Sequence, residues 1–418
     1  MKKDKRPRAH TLPAKVCITK LEGKGNEHVQ RGLEQLLQTL GSWKNIVPPH
    51  TKKVLIKPNL MMGEHWTTGI TVHPYLIELL VCGLRDQGLD VIVGEGAGWG
   101  CDSADSFRET GVTELCRRLD VPLVDFKRGR GVKVPVPDGE LLKDVLVDEV
   151  VTECDFIISL AKLKTHGETL VTLSLKNMKG LIAEDRDRLR FHLLDVNRCL
   201  VDLNRAIKPD FAIVEGIVAL EGIGPLQPGK PRPLGILVGG SDALAVDTVC
   251  TEIIGMHAGD IRHLVYAGNA GIGTNNMDDI EVMGESIESV APAGFELPPT
   301  ELEGLSPFEN IRIVNGNPCS NCIASLAACL HGYIDKRIVE GATHNVDILV
   351  GAKAKPAGER SDIAIGNCLK RYRGKIPFVP GCPPTSDAYL ELIKRGLKGD
   401  FRAATVDSRR EVIELENP

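Results

Sequence analysis

Short, almost wholly apolar runs alternate with helical stretches between residues 53 and 255, and few folds accommodate that pattern. KVLIK (53–57), LDVIV (89–93), VPLVDF (121–126), DFIISL (155–160), FAIVEG (211–216) and LGILVGG (234–240) have no polar face to offer water. Strands of this kind must be covered on both sides. Helices between them return the chain so that successive strands run the same way, which predicts an α/β class with a mainly parallel sheet flanked by helices. PYLIELLVCGLRDQG (74–88) opens on proline and closes on glycine, the order expected of a helix. SDALAVDTVCTEIIG (241–255) predicts another, with Ser241 or Asp242 as its N-cap.

The 418 residues have room for two domains. Residues 1–15, MKKDKRPRAHTLPAK, are basic without the apolar core of a secretory signal and predict a flexible arm. Residues 16–283 predict the main α/β domain, and the proline- and acid-rich stretch 284–309 a linker or crossover. IRIVN (311–315), VDILVG (346–351), SDIAIG (361–366), IPFVPG (376–381) and the helical SDAYLELIKRGLKG (386–399) predict a second, smaller α/β domain over 310–418. A net charge of −5 with 4% aromatic residues argues against nucleic acid as partner. No apolar run reaches the ~20 residues of a membrane span, so no membrane partner is expected and the location predicted is cytoplasmic.

Twelve cysteines are unevenly spread. Cys17, Cys82, Cys101, Cys116, Cys154, Cys199 and Cys250 stand singly and read as small buried hydrophobes. The tail instead holds PCSNC (318–322), GNC (366–368) and PGCPP (380–384). A C-x-x-C step brings two sulfurs to one metal centre, and thiols clustered in a reducing compartment point to metal or redox chemistry. If the strands before Cys368 and Cys382 are parallel neighbours, both thiols leave the same sheet edge. Cys319, Cys322, Cys368 and Cys382 are therefore the predicted metal ligands, and a [4Fe–4S] cluster the predicted cofactor. Zinc is the competing metal, although a zinc ribbon usually pairs two C-x-x-C knuckles, and a metal-free tail stays open. Cys329, inside the apolar run IASLAACLHGY, reads as a core thiol and as the first substitute among the four.

Polar clusters follow the apolar strands of the first domain, where open α/β sheets bind ligands. Lys57 and Asn59 follow KVLI, Glu95 follows LDVIV, and Lys162, Lys164 and His166 follow DFIISL. Lys176, Asn177 and Lys179 follow VTLSL; Glu215 and Glu221 flank FAIVEGIVALEG; Asp242 and Asp247 follow LGILVGG. The two-residue spacing of Lys162, Lys164 and His166 puts them on one side of an extended segment. They are the candidate catalytic residues, with Lys57, Asn59, Glu95, Lys176 and Asn177 as candidate binders of a small anionic molecule. Asp242 reads as a helix cap and His73 as a surface residue at a helix start. GEGAGWG (94–100) lacks the G-x-G-x-x-G spacing, and no Walker loop is present, so nucleotide binding is not supported. Its glycines predict close backbone approach to another ligand.

IKPNL (56–60), TVHP (71–74), GEGAG (94–98), AKLKTHGETLVTLSLKNMKG (161–180), EGIGP (221–225) and AVDTV (245–249) together resemble the DUF362 family over residues ~50–285. The resemblance implies an α/β domain of unassigned chemistry, often associated with iron–sulfur modules, and brings no catalytic residue list. The dense C-x-x-C-x-x-C-x-x-x-C-P pattern of ferredoxin-fused relatives is absent. The tail looks more like the cluster-binding segments of small redox subunits, in which a GCPP cysteine ligates a [4Fe–4S] cluster. The leading reading is an iron–sulfur redox protein, with a redox partner protein and an oxidoreductase activity as open expectations. A non-redox Lys/His acid–base enzyme with a structural or Lewis-acid cluster, and a cluster- or ligand-assembly protein, are the alternatives.

Overall fold

The computed structural model describes residues 13–23, 25–226, 228–356 and 362–406, and the backbone of 412–414. Its strands in the first part are β1 (Ala14–Lys20), β2 (Lys53–Pro58), β3 (Asp90–Glu95), β4 (Leu123–Asp125), β5 (Gly131–Pro135), β6 (Asp144–Asp148), β7 (Phe156–His166), β8 (Leu170–Thr172), β9 (Phe211–Glu221), β10 (Lys230–Gly240) and β11 (Ile280–Gly284). The tail adds β12 (Ile311–Asn315), β13 (Val346–Val350), β14 (Asp362–Ile365), β15 (Phe378–Val379), β16 (Ala404–Val406) and β17 (Val412–Glu414).

Among the described residues one sheet runs β11-β1-β10-β9-β7-β2-β3-β4, with β8 added to β7. Most of its pairings are parallel. The antiparallel exceptions place β10 between β1 and β9 and β8 beside β7. Side-chain alternation sends Val54 and Ile56 to one face, where helices Asn26–Leu40, Pro74–Arg85 and Val112–Leu119 pack. Leu55 points the other way, toward Phe191, Leu200 and Leu203. The chain is an α/β protein with a large, mainly parallel sheet between helices.

The second sheet is smaller and follows chain order, β12 to β17, parallel except at its β16–β17 edge. Leu326, Leu330, Leu392 and Tyr389 cover one face of it, and Leu369 packs on the other. No described helix is long and apolar enough to cross a membrane.

Several elements depart from the sequence reading for visible reasons. The arm expected over 1–15 lies outside the described residues up to residue 12, and Ala14 and Lys15 already pair with Ile280 and Glu281 in β1 and β11. β7 continues past its apolar run to His166, with all eleven residues buried. The 284–309 stretch wraps the large unit, where the Glu296 carbonyl accepts from Gly222 N, and then delivers Leu302, Leu305 and Phe308 to the small core. The last helix begins only at Leu390, because residues 385–387 turn inward instead. His73 is the N-cap of Pro74–Arg85 but is buried, not a surface residue: its Nδ1 accepts from Tyr75 N and its ring lies 4.1 Å from that of Trp66. Asp242 caps Ala243–Ile253 by accepting from Leu244 N and Ala245 N. Of the seven scattered cysteines, Cys17, Cys116, Cys199 and Cys250 are buried, Cys101 and Cys154 half-buried, and Cys82 is exposed.

Candidate functional site

A cavity of about 230 Å³ opens beyond the carboxyl ends of β2, β3 and β7. Lys57, Asn59, Glu95, Lys164, His166, Lys176 and Asn177 all line it, so seven of the eight candidate catalytic and anion-binding residues meet there. Five of them are joined by one network. Lys57 Nζ donates to Glu95 (2.6 Å) and to Asn177 Oδ1 (2.8 Å). Asn59 donates to the same Asn177 oxygen (3.1 Å), while its own oxygen accepts from Lys164 Nζ (2.9 Å). Asp247 accepts from Ser174 N and Leu175 N, which starts the short helix Ser174–Asn177 carrying Lys176 and Asn177.

Lys162 is the exception. Its Nζ donates to Glu215 at 2.7 Å with both side chains fully buried, and it does not line the cavity. The two residues face each other in the β7–β9 register, and that register shifts between Lys162 and Lys164. The irregularity separates residues that a regular strand would have kept together.

Lys176 differs from its neighbours. Its Nζ has no hydrogen-bond partner among the described residues, and part of its surface opens into the cavity. Burial lowers its pKa to about 8 against the pull of Glu168. His166 Nδ1 accepts from Glu168 N at 2.9 Å, and burial together with Lys176 holds the ring neutral. Its proton therefore resides on Nε2, leaving a neutral donor in the cavity wall.

The sequence reading did not single out Glu168, Arg188 or His192, and it noted Lys179 without assigning it to a site. Burial alone would raise the Glu168 carboxyl, but His192, Lys176 and Lys179 bring it down to about 2. His192 Nδ1 stands 2.6 Å from this carboxylate, its pKa lowered to about 4 by burial, and its Nε2 meets Lys179 Nζ. An ionised Glu168 beside a neutral ring places the ring proton on Nδ1 and leaves Nε2 to accept from Lys179. Arg188 donates to the carbonyls of Gly96 (2.8 Å), Ala97, Gly180 (3.0 Å) and Ile182 (2.8 Å). The glycine loop thus admits the protein's own arginine, where the sequence suggested an outside ligand: a Cβ on Gly96 would collide with that guanidinium. The four-residue spacing of Arg188 and His192, one face of helix Asp185–Leu194, was the available signal.

The four tail cysteines come together on the small unit. β14 and β15 are parallel neighbours, and the loops after them carry Cys368 and Cys382. Gly366 takes a positive φ of 89° beside them, and a methyl group there would meet Cys368 Sγ at 3.6 Å and Cys322 Sγ at 3.9 Å. Arg262 Nη1, from the large unit, lies 3.8 Å from both Cys319 Sγ and Cys382 Sγ. Cys319 caps helix Ser320–Ala328, and the Cys322 thiol donates to it. That donation, with helix N–H groups and Arg262 adding to it against burial, lowers Cys319 to about 5. Burial raises Cys382 to about 11. Cys329 is fully buried in the small core. Among the described residues no three His, Cys, Asp or Glu groups are drawn close enough to hold a single metal ion.

Sulfur group and cavity share a wall. The last turn of an α-helix leaves carbonyls without intrahelical partners. Those of His192, Leu193 and Leu194 accept from Cys382 N (3.1 Å) and from Asn367 Nδ2 (2.8 and 2.9 Å). Asn367 Oδ1 in turn accepts from Gly381 N at 2.9 Å, so this one side chain ties both cysteine loops to the helix. Past Cys382, residues Thr385, Ser386 and Asp387 line the cavity, and Ser386 N donates to Glu168 Oε1 at 3.3 Å.

An α/β chain with a cation-rich cavity beyond the carboxyl ends of its large sheet is the class that fold and site define. The chain belongs to the DUF362 family: the model for the domain of unknown function DUF362 matches residues 54–252. A thylakoid-associated protein of Synechocystis sp. is 31% identical over 229 residues, covering 53% of this chain and 68% of that protein. Among solved structures, the lactate racemase apoprotein from Thermoanaerobacterium thermosaccharolyticum overlaps with a TM-score of 0.40 at 11% identity. That overlap covers 58% of this chain and 57% of the racemase chain, less than two thirds of its length.

Proposed function

We propose that this protein is a cytoplasmic iron–sulfur redox protein in which Cys319, Cys322, Cys368 and Cys382 hold one [4Fe–4S] cluster beside a cavity that binds a small anion. The observation carrying the proposal is the short passage from Cys382, whose N–H rests on His192 O, to Ser386, whose N–H rests on Glu168. It joins the sulfur group to the cavity wall within five residues. The donor set fits the cluster: four thiols from three loops, helix N–H groups directed at Cys319, and an arginine between two sulfurs. All twelve cysteines are free, which accords with a reducing compartment. Such a cluster supplies or accepts one electron at a time, at a potential tuned by its surroundings.

The chain's own residues then have separate tasks. Lys176 supplies the charge that attracts the anion, and His166 Nε2–H donates to it. Glu168, His192 and Lys179 form a hydrogen-bonding row able to hold a proton at the cavity edge. Lys57, Glu95, Asn59 and Asn177 keep that wall rigid. Cys319 and Cys368 are exposed, leaving the sulfur group open to a partner protein on its outer side.

Anaerobic purification followed by iron and acid-labile sulfide analysis tests this directly, with about four of each expected per chain. A zinc-only or metal-free protein would overturn it. One observation favours a second reading: Cys319 is exposed at a helix start with Cys322 buried beneath it, an arrangement that suits thiol–disulfide exchange. Metal-free protein that forms a Cys319–Cys322 disulfide on oxidation would favour that reading instead.

A further inference from the structure

We infer that Arg262 sets the reduction potential of the sulfur-bound centre, acting as a fixed positive charge that the large unit extends to the small one; the inference rests on the cluster reading above. Arg262 opens helix Arg262–Asn269, far in sequence from every tail cysteine. Its guanidinium is anchored on one side. Nη2 donates to Asp195 Oδ2 (3.3 Å) and to Tyr266 Oη (3.0 Å), and Nε donates to the same Tyr266 oxygen (3.2 Å). The Tyr266 ring lies 5.6 Å from the guanidinium carbon of Arg262 and 4.8 Å from that of Arg198. Asp195 is itself occupied as the N-cap of helix Val196–Ala206, accepting from Asn197 N and Arg198 N. With those edges of the fork committed, Nη1 faces the sulfurs and lies at equal distance, 3.8 Å, from Cys319 and Cys382.

A fork held this firmly has a direct electrostatic consequence. Four thiolates around a [4Fe–4S] core leave the centre negative, and one-electron reduction adds one further negative charge. A cation in contact with two ligand sulfurs attracts the reduced state more strongly than the oxidised one, so it raises the potential. Arginine suits this position better than lysine, because it stays charged and its planar fork can donate to anchor and sulfur together. Since the fork belongs to the large unit, the small unit alone lacks this charge.

The test uses the full-length, anaerobically purified holoprotein with Arg262→Met, Arg262→Lys and Tyr266→Phe. Iron and sulfide are counted in each, and the cluster is titrated with dithionite under EPR detection. The expected result is a retained cluster whose midpoint moves to lower potential in Arg262→Met, with a smaller move in Arg262→Lys. Tyr266→Phe, which removes an anchor without removing charge, is expected to shift the same way and least. A fully loaded Arg262→Met protein at the wild-type midpoint, or above it, overturns the inference. If Arg262→Met fails to fold or load, Tyr266→Phe decides: a lowered midpoint supports the role and an unchanged one overturns it. Wild-type protein without iron and sulfide is a separate result, which defeats the cluster reading before any variant is made.

Discussion

The Lys162–Glu215 pair and the cavity beyond it are built from the same kinds of residue, yet they stand in opposite relations to the fold. In the first, a lysine and a glutamate neutralise each other between β7 and β9, and Glu215 also accepts from His73 N, Ile217 N and Val218 N. The two charges are spent on each other and on neighbouring backbone. In the second, Lys176 has no hydrogen-bond partner among the described residues, and the tail cysteines meet chiefly one another and a single arginine. Buried charge is thus a poor marker of function on this scaffold. The better marker is hydrogen-bonding capacity that the fold leaves unspent.

Three experiments break or sharpen that contrast. The largest effect is expected from Cys382→Ala, which takes iron from about four per chain to near zero while leaving phosphate binding in the cavity intact; iron analysis and calorimetric titration read the two sides. Next comes Lys162→Met, which strands Glu215 in the core and is expected to cost ~3–5 kcal/mol in urea unfolding. The double change Lys162→Met with Glu215→Leu is expected to recover most of that loss, because removing both charges leaves neither uncompensated. A Lys162→Met protein of wild-type stability would erase the distinction between the two regions. The smallest effect is that of Lys176→Gln, a roughly tenfold loss of phosphate affinity read by the same titration.

The pH dependence follows from the same lysine. Its folded pKa, about 8, lies below the ordinary 10.5, so anion binding is expected to weaken as pH rises through 8. Stability has the opposite slope: Lys176's contribution is complete above 10.5 and is lost as pH falls through 8, since the unfolded chain binds the proton more tightly. Phosphate titrations from pH 6.5 to 9.5, repeated with Lys176→Gln, check the assignment, and the variant is expected to lose the slope.

Much of this molecule was legible in the sequence because it depends on local pattern. Apolar runs mark β2, β3, β7, β9 and β12, and residues at and just past the ends of β2, β3 and β7 reach the cavity as the strand-end rule anticipates. The convergence of Cys368 and Cys382 was deducible once β14 and β15 were taken as parallel neighbours. What stayed hidden depends on distance in the chain or on small irregularities. No spacing rule joins Arg262 to Cys382, or Asn367 to the end of helix Asp185–Leu194. The register shift that diverts Lys162 has no signature in an alternating strand. The glycines at 94–98 advertised close approach, but sequence could not tell an internal guanidinium from an external guest.

Helix Asp185–Leu194 spans roughly 15 Å at 1.5 Å per residue and is gripped at both extremities. Arg188 pins its flank to the glycine loop, while its terminal carbonyls carry the loops of Cys368 and Cys382. A stiff rod so mounted behaves as a lever arm. Through it the chamber wall and the seats of two thiols rest on one support.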